Sequence, residues 1–147
     1  MALDFLKRLL GEDGSETARP DDARAAVSAV LVMAARADDL YEDREKRIID
    51  KVLTARYGLS TDDAARLRAE GEIAETESID HYQFTRAIRH AVPIEERVAI
   101  LEALWRVVLA DDERDPHEDA LMRQLADRMG LSPMDLARAR QKVIAEG

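Results

Sequence analysis

The acidic string Ala37-Asp38-Asp39, followed by Glu42 and Glu45, returns as Ala110-Asp111-Asp112, followed by Asp115 and Glu118. The match extends outward at one constant spacing, Arg24 falling on Arg97, Leu31 on Leu104 and Glu45 on Glu118. After a single-residue gap, Gly58-Leu59-Ser60 falls on Gly130-Leu131-Ser132. A shared unit of long helix, acidic corner, helix, Gly-Leu-Ser turn and helix accounts for this better than coincidence. Two copies of such a unit bury their apolar faces against each other, which restricts the chain to few folds.

Local patterns agree with that unit. Val27, Val30, Leu31 and Ala34 form an apolar stripe that predicts a helix over 21–37. Ile48, Ile49, Val52 and Leu53 predict a second over 42–57, stopped by Gly58. Ser60, with Asp63 three residues on, opens a third that runs to about Glu70. Gly71 to Glu77 reads as a loop and as the boundary between the halves. In the second half a helix is expected over 79–92, and another follows from Pro93 through Val98, Leu101, Leu104, Trp105, Val108 and Leu109. Asp115-Pro116-His117-Glu118 starts the next, ended by Gly130, and Ser132-Pro133-Met134-Asp135 starts the last, which runs toward Ala145. Leu3, Phe5, Leu6, Leu9 and Leu10 make residues 3–10 a short amphipathic helix, and Gly11 to Pro20 has the composition of a flexible linker. The expectation is all-α: a single-domain helical bundle of about seven helices with a pseudo-two-fold internal repeat. It spans 20–147, with halves near 21–70 and 78–145, behind an amphipathic helix and linker over 1–19.

Charge narrows the function classes. Lys and Arg total 22 against 31 Asp and Glu, a net charge of −9, which opposes binding to nucleic acid or anionic membrane and suits cations or basic protein partners. The chain has no cysteine, which removes disulfides, thiolate metal sites and cysteine nucleophiles. No apolar run approaches the ~20 residues of a membrane span. Charges within the short apolar start argue against a signal peptide, so a cytoplasmic location is expected. Peripheral membrane contact through residues 1–10 stays open, and the oligomeric state is not encoded in any pattern.

The chemistry resides in the acids. A helix C-terminus carries partial negative charge, so Asp38, Asp39, Asp111 and Asp112, crowded where helices end, break a local electrostatic rule. Glu42, Glu45, Asp115 and Glu118 also serve as caps and first-turn acids of the following helices. If the pseudo-two-fold joins the two corners, their carboxylates repel unless protonated, paired with Arg or bridged by a cation. A divalent metal ion with a preference for oxygen, Ca²⁺ or Mg²⁺, fits such a donor set. The candidate metal ligands are Asp38, Glu45, Asp111 and Glu118, followed by Asp39, Glu42, Asp112 and Asp115. His117 adds a nitrogen donor that leaves Zn²⁺ or Mn²⁺ open. Neither copy has the alternating acids and central Gly of an EF-hand.

No Gly-rich phosphate loop, Ser-His-Asp arrangement or HExxH occurs, so no catalytic residue is assigned and a non-enzymatic protein is expected. The alternatives are a metal-dependent hydrolase using the paired carboxylates in a two-metal arrangement, and an ion-free structural interaction domain. His81 and His90 lack an acid at ligand spacing and read as packing or surface residues. Arg86, Arg89 and Arg97, with Arg138, Arg140 and Lys142, read as solvated faces paired with acids. Trp105 reads as core.

Glu95-Glu96-Arg97, Leu104-Trp105, Val108, Ala110-Asp111, Glu118 and Gly130-Leu131-Ser132, with Arg36-Ala37-Asp38 and Glu45, carry a resemblance to the tellurite-resistance TerB-like family. The chain is most similar to a bacterial branch with Leu-Trp before the second acidic corner, over roughly 21–145. The resemblance implies an all-helical fold with a pseudo-two-fold repeat, acidic clusters that bind metal ions, and a link to tellurite or general chemical stress. One departure stands out: the family often has Gly after the first Asp of each corner, where this chain has Asp39 and Asp112. Asp tolerates the left-handed conformation better than most residues, so these two could replace a terminal glycine without coordinating anything.

Overall fold

A computed structural model describes residues 20–37, 41–110 and 116–146. Among them are seven helices and no strand: α1 (Pro20–Arg36), α2 (Asp43–Tyr57), α3 (Thr61–Glu77), α4 (Tyr82–Ala91), α5 (Ile94–Val108), α6 (Pro116–Arg128) and α7 (Pro133–Ala145). The amphipathic segment expected over 3–10 and its linker lie outside the described residues, as do Asp38, Asp39, Asp111, Asp112 and Asp115.

α1 is apolar on nearly every side, the composition of a helix enclosed by others. Ala25, Ala26, Val27, Ala29, Val30, Leu31, Val32 and Ala34 are all buried, and α2, α3, α4, α5 and α6 all pack on it. α5 is the second core helix, burying Ile100, Leu101, Leu104, Trp105 and Val108 and packing chiefly against α7 and α1. Around this pair, Ile49 and Leu53 of α2, Phe84 and Ile88 of α4, and Met122 and Leu125 of α6 complete one continuous core.

Helix starts follow local chemistry. Ser60 accepts from the Asp63 N–H at 3.1 Å, and Ser132 accepts from the Asp135 N–H at 3.0 Å, so each satisfies a donor that the first turn leaves unpaired. Asp135 reciprocates by accepting from the Ser132 N–H at 2.9 Å, and this pairing holds its carboxyl below the usual aspartate range. α2 and α6 stop the same way. Gly58 (φ 63°) and Gly130 (φ 76°) occupy the left-handed region that side chains with a Cβ rarely adopt. The Leu59 and Leu131 amides then turn back to the Thr54 and Ala126 carbonyls at 3.3 and 2.8 Å.

Two expectations fail here. Gly71 to Glu77 is not a loop: α3 continues through it to Glu77. Gly71 is where α3 crosses α1, and a Cβ built on it would lie 2.8 Å from the Ser28 backbone carbon and 2.3 Å from Ser28 Oγ. The glycine permits contact between helices and does not break one. Ser28, fully buried, seals the crossing by donating to the Leu67 carbonyl at 2.8 Å. The second correction concerns 79–92, where the helix begins only at Tyr82. Its apolar stripe is incomplete because it buries Gln83 and Thr85. Thr85 Oγ1 donates to the Tyr82 carbonyl at 2.9 Å and Gln83 Nε2 donates to Ser78 Oγ, while Gln83 Oε1 is buried without a hydrogen-bond partner.

Candidate functional site

Both acidic corners precede a helix whose third residue is a glutamate: Glu45 in α2 and Glu118 in α6. Each is only 4% exposed. Burial of a carboxylate is costly unless it is paired or hydrogen-bonded, and the positive end of a helix lowers that cost. At the first corner Glu45 Oε2 accepts from the Glu42 N–H at 3.2 Å, and Glu42 itself is exposed. Glu118 is likewise engaged within the fold. His117 beside it is exposed.

The first corner is tied to α3 by a polar network that spans the two helices. Tyr41 donates to Glu72 Oε2 at 2.5 Å, and Arg68 donates to Glu72 at 3.1 Å and to Asp50 at 2.6 Å. Arg36, the last residue of α1, pairs with Glu75 at 2.5 Å and donates to Thr76 at 2.8 Å. Its guanidinium also covers the Tyr41 ring from 4.9 Å, while the Lys46 ammonium lies 5.1 Å from that ring. The chain entering and leaving 38–40 is therefore held by α3 through side chains that sequence spacing does not connect.

Tyr41 makes this anchoring sensitive to pH. Burial first, then Glu72, pushes its hydroxyl well above the usual phenol range, against an opposing pull from Arg68. The folded state keeps the proton, so its stabilising share is intact below the unfolded value of about 10 and is lost as the pH climbs through the alkaline range. Tyr41→Phe is expected to cost about 1 kcal/mol at neutral pH and to flatten the alkaline decline of the thermal midpoint. Tyr57, also raised by burial, keeps a residual slope. An unchanged alkaline limb in the variant would remove Tyr41 from this role.

Among the described residues no three His, Asp or Glu side chains converge as a metal site. Glu42 and Glu45 share one capping turn; a fuller donor set would have to draw on the acids of 38–40 and 111–115. Two arginines expected on solvated faces are elsewhere. Arg97 donates to the Val92 carbonyl at 2.9 Å and the Met129 carbonyl at 2.7 Å, bracing the ends of α4 and α6. Arg140 is half-buried with its guanidinium 5.8 Å from the Trp105 ring. Arg86 and Lys142 do pair with acids, Asp80 and Glu102. His81 bonds the Glu75 carbonyl at 2.8 Å, a packing role, and His90 is exposed.

These features define an all-helical domain whose two acid-rich corners each lead into a helix through a buried first-turn glutamate. The sequence model of the tellurite resistance protein TerB family matches residues 24–141, and the chain belongs to that family. It is thus a tellurite-resistance-related domain. Comparison with curated proteins and with solved structures finds no match.

Proposed function

We propose that the protein is a non-enzymatic, divalent-cation-binding TerB module of a bacterial response to tellurite or other chemical stress, acting through protein partners. The observation that carries this reading is the burial of Glu45 and Glu118 at the same first-turn position beside two matching acidic strings. The donor set consists of carboxylates, which suits Ca²⁺ or Mg²⁺, with Zn²⁺ or Mn²⁺ drawing on His117. Asp38, Glu45, Asp111 and Glu118 would hold the ion, aided by Asp39, Glu42, Asp112 and Asp115. When bound, it supplies positive charge that relieves repulsion among these acids and fixes the corners for a partner. The absence of a Cys nucleophile and of any Ser-His-Asp or HExxH arrangement supports a binding role over hydrolysis.

An ion-free interaction domain has one observation in its favour, the Glu42–Glu45 capping bond, which already gives Glu45 a structural purpose. Calorimetry of chelator-stripped protein against Ca²⁺, Mg²⁺, Mn²⁺ and Zn²⁺ separates the two. The cation reading expects saturable binding of at least one ion, lost in the Asp38→Asn, Asp111→Asn double variant. That variant is also expected to raise the stability of ion-free protein by ~0.3–1 kcal/mol per site, since each carboxylate follows a helix C-terminus. Glu118→Gln keeps a side chain able to close a capping box, so an affinity loss of about tenfold or more there assigns Glu118 to the ion. No heat with any of the four ions, or tight binding that survives all three substitutions, would refute the site.

A further inference from the structure

A cleft of about 380 Å³ opens between α5, α6 and α7 and reaches the first turn of α6 at Asp119. Its floor is apolar, made by Trp105, Ala126, Leu131 and Leu136, and Arg123 and Arg140 line its walls. Some arginines of this acid-rich chain pair with carboxylates. Arg36, Arg68, Arg86 and Arg106 do so. Neither Arg123 nor Arg140 has an ion-pair partner among the described residues, although Asp119 and Asp127 line the same cleft. Arg140 Nε is moreover buried and makes no hydrogen bond, a state that among the described residues it shares only with Gln83 Oε1. The indole N–H, a donor itself, cannot supply the missing acceptor; it donates to the Leu136 carbonyl at 3.1 Å.

An apolar cavity of this size with a few convergent polar groups is the usual form of a small-molecule site. We propose that this cleft binds an amphiphilic anion, a carboxylate on an apolar body of about ten carbons, with its head on Arg140 and Arg123 and its body over Trp105, Leu131 and Leu136. The guanidinium supplies the specificity. Forked donors favour a planar carboxylate over a neutral head, and because the net negative charge of the protein opposes every anion, burial of the apolar body has to supply the rest of the affinity. The cleft uses none of the acids assigned to the corners, although Asp119 directly follows Glu118 in α6.

Trp105 is the only tryptophan in the chain, so its emission reports occupancy directly. The full-length protein is titrated with decanoate, decanol and decyltrimethylammonium below their micelle-forming concentrations, with methyl NMR shifts recorded in parallel. Decanoate is expected to give a saturable emission change, with shifts at Leu131 and Leu136, and to bind about tenfold or more tightly than the other two. Arg140→Met keeps an apolar stem over the indole and removes only the charge and donors, so it should bring decanoate to the level of decanol. The thermal midpoint of that variant, measured alongside, establishes that it is folded. Arg140→Gln serves as a second variant with the same expected loss. Equal affinity for decanoate and decanol, a response unchanged by both substitutions, no saturable response, or shifts confined to residues outside the cleft would each overturn the assignment.

Discussion

Gly71→Ala is expected to lower the thermal midpoint by roughly 5–10 °C, a loss of about 2–3 kcal/mol at the size of this chain. Intrinsic propensity points the other way, since alanine favours a helix interior over glycine by about 1 kcal/mol. Packing decides the sign. The added methyl would meet the Ser28 backbone carbon at 2.8 Å and Ser28 Oγ at 2.3 Å, and backbone cannot rotate away as a side chain can. α1 and α3 would have to separate, which also stretches the Ser28–Leu67 hydrogen bond across the crossing. Ser28→Gly should recover part of the loss in the double variant, because it removes the Oγ and Cβ obstacles and leaves only the backbone one. Thermal unfolding followed by circular dichroism is sufficient for the test. A Gly71→Ala protein as stable as the parent would mean that the crossing is looser than its geometry.

Trp105→Ala is expected to be more damaging, about 3–5 kcal/mol, the range for deleting a large buried aromatic side chain. The indole is buried on α5 and its N–H holds the Leu136 carbonyl, so it supplies both the area and the bond that dock α7. Arg140 stacks over its ring and would lose that cover as well. Trp105→Phe separates the contributions: it retains an aromatic body and leaves the Leu136 carbonyl without its donor, at a cost of about 1–2 kcal/mol. Urea unfolding must be read by circular dichroism, because both substitutions remove the only tryptophan. A cost below about 1 kcal/mol for Trp105→Ala would show that α7 is docked by other residues.

The helix starts and stops set by a cap or a glycine were legible in the sequence because their causes are local. Ser60 and Ser132 cap with their own hydroxyls, Gly58 and Gly130 end helices through their own backbone, and Glu45 reaches back three residues to Glu42. The apolar stripe of α1 was equally plain, since Val27, Val30, Leu31 and Ala34 all face the core. The matching acidic strings, and with them the membership of the TerB family over 24–141, were also present in residue order alone.

Only the tertiary structure could decide the rest, because the partners are distant in sequence. Gly71 resembles a break to any local rule, and only the approach of Ser28, on another helix, turns it into a contact point. Gln83 and Thr85 spoil a stripe until Ser78 receives the Gln83 amide N–H and the Tyr82 carbonyl receives the Thr85 hydroxyl. Arg97 resembles a surface residue until the Met129 carbonyl, 32 positions away, receives it. The same holds at the candidate sites. Spacing identified Glu45 and Glu118 as first-turn acids, but their burial depends on what the fold packs over them, and the charge of a carboxylate matters most where water is removed. Arg140 had the pattern of a solvated face, and only the docking of α7 against Trp105 leaves its Nε buried at the edge of a cleft.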